Sequence, residues 1–477
     1  MNLASPPTAD VVIEPIDLRI PIESAVVTFS RAPGPAILES SLQNASYGRF
    51  SIFACDPVEV FSIDHPASGC PFRAFADYVA TRPAVAGLTT HLPFVGGWIG
   101  FISYEAGLTI EGISVTTNRD LSWPLLRFNL YDAAAIFDHA ARQWYLTAVA
   151  WPTAMARRRP TVGERLATLR KRLESAAALD ATDLPSMLAT SPPVPNMSHD
   201  AYLAKVDRAK RYIEAGDIYE VNLTQRFTTR TDVSPLTLYR RLRRVNPSFY
   251  AALLLWGDAA ILSSSPELFL ELRDGHVVTR PIKGTRPRGV DPEADDAYRR
   301  ELIASEKDRA ELNMIIDLLR NDLGRVCSFG SVRVTNADEI EEHPTLFHRV
   351  ATIEGDLQPP NTWVDLLRAA FPGGSITGAP KIRAMQIIDE LEPTARDVYC
   401  GSIGTIGLDG SMSLNIAIRT MIQVADAVHL YAGGAIVADS RPEDEYDEIL
   451  VKAAGMLRAL GCDAPAGSPL PQEVAIL

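Results

Sequence analysis

Four cations fall within nine residues in the run Thr279-Arg280-Pro281-Ile282-Lys283-Gly284-Thr285-Arg286-Pro287-Arg288-Gly289. A lysine at a strand end, crowded by Arg280, Arg286 and Arg288, has its charged form disfavoured. That lowers its pKa and frees the amine to act as a nucleophile. On spacing alone the run also reads as a solvated basic turn, or as arginines that hold a phosphate. Ile282 and Gly284 on either side of Lys283 suggest partial burial. Upstream, Ser263-Ser264-Ser265-Pro266-Glu267 leads into an apolar strand, where a carboxyl with a raised pKa could donate a proton. The other reading is that the serines cap an element. Near the C-terminus Glu445, Glu448 and Lys452 sit at i, i+3 and i+7 and share one helix face. With the acidic stretch from Ser305 to Glu311 they could bind Mg²⁺ through few protein ligands plus substrate oxygens. Exposed Glu–Lys pairing worth about 0.2–0.5 kcal/mol is the alternative. Two further motifs fail. The stretch 373–381 resembles a phosphate loop, but Ala379-Pro380 stands where Lys-Ser/Thr must follow the glycine. What remains is a Gly-rich turn feeding a helix with Pro380 at its first position, an anion site. His343 and His348 are five apart without an HExxH pattern, so zinc is not expected. His348 by itself reads as a core histidine.

These residues need elements to hold them. Short β-rich segments fill 11–146, and the three glycines among bulky residues at 94–101 suit close backbone approach inside a sheet. A charged amphipathic helix is expected over 157–178, then a Pro/Ser/Thr-rich linker over 181–197. Ser198-His199-Asp200 can cap a helix to about residue 215, which Gly216 ends. Strands are expected at 221–228, 248–255, 268–272, 276–282, 399–408, 413–423 and 428–432. Helices are expected at 294–319, 362–370, 380–391 and 442–460. Strand and helix do not alternate strictly, so the class is α+β rather than a doubly wound parallel sheet.

Composition bounds the function. The chain has 477 residues and 46 Lys+Arg against 59 Asp+Glu, a formal charge of −13. An acidic balance argues against a nucleic-acid groove or an anionic membrane as partner. The length suits about two or three domains or one large intertwined unit, with no need of disulfides. Five scattered cysteines without CxxC and no basic leader suggest a cytoplasmic protein.

Taken in order, the segments 216–227 (GDIYEVNLTQRF), Ser265-Pro266-Glu267, 281–289 (PIKGTRPRG), 305–311 (SEKDRAE), 317–324 (DLLRNDLG), 374–385 (GSITGAPKIRAM), Ala417-Ile418-Arg419-Thr420, Gly433-Gly434-Ala435 and Glu445 to Lys452 resemble the chorismate-utilising enzymes. Residues 36–40 and 94–104 match more loosely. The resemblance implies a large α/β sandwich of two face-packed β-sheets with helices outside. Residues 1–180 would form the N-terminal part, 198–465 the chorismate-binding catalytic domain and 466–477 a tail, with N- and C-terminal parts interleaved. It implies Glu267 as the acid–base for hydroxyl departure, Glu311 and Glu448 as Mg²⁺ ligands, and Glu445 as a ligand through water. Arg419, Tyr399 and the backbone of Gly433 to Ala435 would hold the enolpyruvyl carboxylate. Ser375 and Lys452 would be further substrate contacts, and His348 matches the family's active-site histidine.

Within the family the residue at 283 separates branches: alanine in anthranilate synthases, lysine in aminodeoxychorismate synthases. Lys283 implies addition at C2 of chorismate with loss of the C4 hydroxyl, then entry of ammonia at C4. No nucleophile-elbow cysteine is present, so ammonia is expected from glutamine through a separate glutamine amidotransferase subunit. Glu220 departs from the glutamine of many family members. The family's tryptophan pocket maps onto Leu38, Glu39, Ser40, Asn246 and Pro247, where Phe249 adds bulk and Ala251 removes it. The alternatives are anthranilate synthase component I and a non-catalytic chorismate or tryptophan sensor.

Overall fold

The computed structural model describes residues 7–42, 47–64, 69–153, 155–156, 159–179, 181, 184, 190–342 and 346–462. His343, part of the expected linker and the expected tail at 466–477 lie outside them. Two antiparallel sheets build the molecule, of 12 and 10 strands among the described residues. The larger runs from Asp10–Ile16 at one end to Glu220–Arg230 and Gly378–Ala379 at the other. The smaller runs from Glu59–Ile63 to Leu346–Asp356 and Ile282–Pro287. Aromatic side chains interdigitate between them: Phe101 of one sheet stacks on Trp256 of the other with ring centroids 5.5 Å apart. Stacked aromatic pairs add about 0.5–1.5 kcal/mol beyond their area.

Both sheets mix early and late chain. Ala36–Glu39 pairs with Tyr250–Trp256, and Gly97–Ile102 pairs with Ser402–Gly407. Gly97 is one of the glycines that permit this, since a Cβ there would meet the Ile406 carbonyl oxygen at 2.4 Å. Within the expected linker, Val194–Pro195 pairs with Phe227 and Thr228.

Capping chemistry sets several helix ends. Thr161 and Glu164 form a reciprocal capping box for Val162–Ala177, and Ser198 accepts from the Ala201 N–H to start His199–Glu214. Gly216 follows at φ +80°, the left-handed conformation that ends helices. Helix Pro442–Ala459 presents Ile449, Ala453, Met456 and Leu457 to the core at helical spacing.

Four local expectations are corrected. The helix expected at 294–319 is two, Pro292–Ala304 and Glu306–Gly324. Ser305 is extended at φ −65°, ψ 106°, and its hydroxyl accepts from the Asp308 N–H, so it closes one helix and opens the next. The segment expected as one strand at 413–423 is two strands in different sheets, Met412–Asn415 and Thr420–Val424. The chain crosses between sheets at 416–419, where Arg419 has φ +49°. The basic turn after residue 282 is a strand, Ile282–Pro287, with a bulge between Lys283 and Thr285. Gly284 there has φ +77°, and a Cβ would stand 2.9 Å from Asp308 and Leu302. Finally, Pro380 caps helix Lys381–Leu391 from outside rather than occupying its first turn.

Candidate active site

The ends of the two sheets meet at the candidate site. Lys283 comes from the terminal strand of the smaller sheet, and Glu220 from the strand next to the terminal one of the larger. Gly378 makes this approach possible: it pairs with Val221, and a Cβ on it would stand 2.1 Å from the Glu220 carbonyl oxygen. Lys283 Nζ donates to Glu220 Oε1 at 2.6 Å, with both side chains buried. Burial alone would lower the ammonium's pKa. Glu220, Glu311 and the hydrogen bond outweigh it and hold Lys283 above the ordinary lysine value.

This corrects the expectation of an amine neutralised by neighbouring arginines. Arg280 turns to Glu341 at 2.6 Å and lies over the Tyr47 ring, Arg286 pairs with Glu301 at 2.7 Å, and Arg288 with Asp295 at 2.6 Å. Alternation along a strand sends residue 283 to the opposite face from 280, 286 and 288 only when the strand is regular. Here the bulge and these acidic partners decide the directions.

Glu267 is 3% exposed. Burial pushes its carboxyl up to about 7, against the hydrogen bond from Ser375, the backbone N–H of Ile282 and the charges of Lys283 and Arg419. Ser375 Oγ donates to Glu267 Oε1 at 2.6 Å, so it orients the acid as well as lining the site. His348 is buried, its Nδ1 at 2.9 Å from Thr285 Oγ1 and its Nε2 at 3.5 Å from Arg419 Nη2. Burial lowers the Arg419 pKa to about 10, which the Glu267 charge opposes. Tyr399 is buried and stacks on Tyr431 at 5.1 Å with 9° between ring planes. Glu220 stands out in the sequence only as a departure from the family pattern. Its partner is 63 residues away, so no local signal marked it.

The three acidic side chains expected to hold a cation lie around Lys307 without being grouped closely enough to share an ion by themselves. Glu311 Oε1 and Glu445 Oε2 are buried and accept no hydrogen bond. Lys307 Nζ lies 3.9 Å from Glu311 and 3.8 Å from Glu445, a positive charge between the two helices. Gly434 leaves room above them, since a Cβ there would meet Glu445 Oε2 at 3.0 Å and Glu448 Oε1 at 3.6 Å. Burial pushes Glu311 up to about 7 and raises Glu445. Lys452, 2.7 Å from Glu448, lowers Glu448. Lys452 also donates to the Gly433 carbonyl at 2.9 Å, and Ala435 pairs with Asn222 on the neighbouring strand. All-carboxylate donors with orphaned oxygens fit a hard divalent cation. Among the described residues no three His, Cys, Asp or Glu side chains are already grouped to hold a metal. A cation here would take further ligands from substrate and water.

The residues expected to bind tryptophan lie together elsewhere, and their polar side chains are taken up by other residues of the protein. Glu39 is buried and accepts from Tyr239 Oη at 3.0 Å and from Arg243. Ser40 donates to the Phe50 and Phe249 carbonyls at 2.9 and 3.0 Å, and Asn246 donates to Ser264 at 3.2 Å. Leu38 pairs with Ala252 across the sheet, and Pro247 follows Asn246 in the turn after helix Pro235–Val245.

Residues 38–458 match the family model described as chorismate binding enzyme. The chain belongs to the chorismate-binding enzymes. An aminodeoxychorismate synthase component 1 from Klebsiella aerogenes is 42% identical over 370 residues, covering 78% of this chain and 78% of that protein. An anthranilate synthase component 1 from Thermus thermophilus is 37% identical, covering 93% of this chain and 96% of that protein. The solved anthranilate synthase component I from Streptococcus pneumoniae superposes with a TM-score of 0.74 at 32% identity, over 87% of this chain and 93% of that one. This family membership accounts for the two-sheet fold. The aminodeoxychorismate synthase relative is the more identical of the two, and the side chains in the site bear on the same choice.

Proposed function

We propose that the chain is component I of an aminodeoxychorismate synthase, converting chorismate and ammonia to 4-amino-4-deoxychorismate. The observation that carries this is a buried lysine, Lys283, in the same cleft as a protonatable Glu267. As Nζ bonds to C2 of the ring, both double bonds shift and the C4–O bond breaks. The hydroxyl leaves as water with the proton of Glu267, whose pKa of about 7 keeps it partly protonated at neutral pH. Ammonia then attacks C4 and Lys283 departs from C2. Splitting one difficult displacement into two easier ones is the gain from a covalent step. The same Glu267 takes the surplus proton from the new ammonium group, which returns it to its starting form.

Arg419 and Tyr399 would face the enolpyruvyl carboxylate, with His348 holding Arg419 in place. Glu311, Glu445 and Glu448 would hold Mg²⁺, which supplies charge neutralisation for the ring carboxylate of the substrate. A dianionic ligand needs only this local cationic pocket, so the acidic surface is no obstacle. Ammonia would reach the site from glutamine through a separate amidotransferase component, and the setting would be cytoplasmic, feeding 4-aminobenzoate and folate synthesis. No helix among the described residues is long and apolar enough to cross a membrane.

The competing reading is anthranilate synthase component I, which the Thermus thermophilus relative represents. It needs no amine at position 283. Incubation with chorismate, ammonium and Mg²⁺, followed by chromatography with mass detection, separates the two. Aminodeoxychorismate as main product supports the proposal, anthranilate supports the alternative, and no consumption of chorismate leaves only a sensor.

A further inference from the structure

Lys283 must lose a proton before it can attack, and nothing assigned so far removes it. Four carboxylates face its ammonium: Glu220 from strand Glu220–Arg230, Glu267 ahead of Leu268–Arg273, Glu311 from helix Glu306–Gly324 and Glu448 from helix Pro442–Ala459. Glu267 serves the leaving hydroxyl, and Glu311 and Glu448 serve the cation. Among the described residues, Glu220 alone accepts a hydrogen bond from Nζ, at 2.6 Å. Its side chain is fully buried, and Oε2 has no hydrogen-bond partner. Asn222 Nδ2 reaches Oε1 only at 3.5 Å. Proton transfer within this pair therefore breaks no other strong hydrogen bond and moves no charge to solvent.

We propose that Glu220 is the proton acceptor that turns the Lys283 ammonium into a free amine as chorismate enters. The inference rests on the reading that Lys283 forms the covalent adduct. The balance closes. The ammonium and carboxylate become amine and carboxylic acid, and the amine lone pair forms the N–C2 bond. The C4–O bond breaks, and Glu267 supplies the proton that makes the hydroxyl water. When ammonia displaces the lysine, the departing amine takes its proton back from Glu220 and the ion pair is restored. Glu220 acts through Lys283, so it is a positioning and proton-accepting residue.

The test measures adduct formation without ammonia, by quenching at intervals and reading intact-protein mass for chorismate less one water on Lys283. The parent, Glu220→Gln and Glu220→Asp are compared from about pH 6 to about pH 9. Glutamine cannot take the proton, so its lysine must release it to solvent. The variant-to-parent rate ratio should then rise about tenfold per pH unit until Lys283 titrates, and the division removes the titration of Glu267 common to both. Glu220→Asp keeps a carboxylate, so its ratio should stay flat with pH even if the rate is lower. A glutamine ratio that is flat with pH, whether near one or far below it, overturns the proposal. So does an aspartate ratio that climbs. If the parent forms no adduct and no aminodeoxychorismate, the reading of function fails, and this inference fails with it.

Discussion

Lys283 and Glu267 carry the sharpest residue-scale expectations. Glu267 must be protonated to expel the hydroxyl, and burial pushes its carboxyl up to about 7. The acid form is therefore dominant below that pH and lost above it. Turnover with ammonium held constant as free ammonia should fall as pH rises from about 7 to about 9, roughly tenfold per unit. A profile that stays level across that range would remove Glu267 from the acid's role. Glu267→Gln should cost about 10²–10⁴ in kcat. Replacing Lys283 with alanine removes the nucleophile while leaving Glu267 and Ser375 paired. Turnover to aminodeoxychorismate should collapse, and ammonia entering the vacated space at C2 should yield aminodeoxyisochorismate or anthranilate. An Ala variant with the parent's rate and product would make Lys283 only an electrostatic residue.

At the scale of elements, the short strand Gly378–Ala379 is what brings Glu220 under Lys283. Gly378 has φ +138°, and a Cβ would stand 2.1 Å from a backbone oxygen, a contact no rotamer change relieves. Gly378→Ala should therefore cost about 1–3 kcal/mol of stability, read as a lower midpoint in denaturant. The adduct rate should drop as well, because Val221 and Glu220 must shift with the clash. Stability unchanged within error would show that the turn yields without effect. The break at Ser305 has a similar consequence for the cation residues. It lets Glu306–Gly324 start afresh, so that Glu311 falls in its second turn and faces Glu445 across the gap that Lys307 spans. One uninterrupted helix from 292 would aim Glu311 by the phase of the first helix.

Across the whole molecule, two helices and both sheets contribute to one site, so loss of a cation should be felt in activity far more than in fold. EDTA should abolish turnover and Mg²⁺ restore it, with the far-ultraviolet circular dichroism unchanged. Glu311→Gln should fail to respond to added Mg²⁺, since an amide replaces a charged ligand. Equal turnover in metal-free buffer and in Mg²⁺ would overturn the assignment of the carboxylates. The purified chain should also use ammonium and leave glutamine untouched. None of its five cysteines pairs in a disulfide, and Cys55, Cys327 and Cys400 are buried with thiols pushed above their ordinary value, unlike the activated thiolate a glutaminase needs. Glutamine-dependent product from the chain alone would sink the separate-component reading.

Residue types and short spacings were enough to single out Lys283, Glu267 and the Glu445–Glu448 face as candidates, to place the helix start at Ser198, and to place the chain in its family. These are local properties: a cap, an i, i+3 pair or a motif is complete within a few residues. The charge state of Lys283 was not legible. Its three neighbouring cations in sequence turn to other acids, while its partner Glu220 lies on another sheet. The split of 413–423 between two sheets was hidden for the same reason. Both halves have strand composition, and only packing against Glu267 and the opposite sheet sets the crossing at 416–419. Through-space electrostatics depends on which chain segments meet, and that is fixed by how the two sheets close around their shared core.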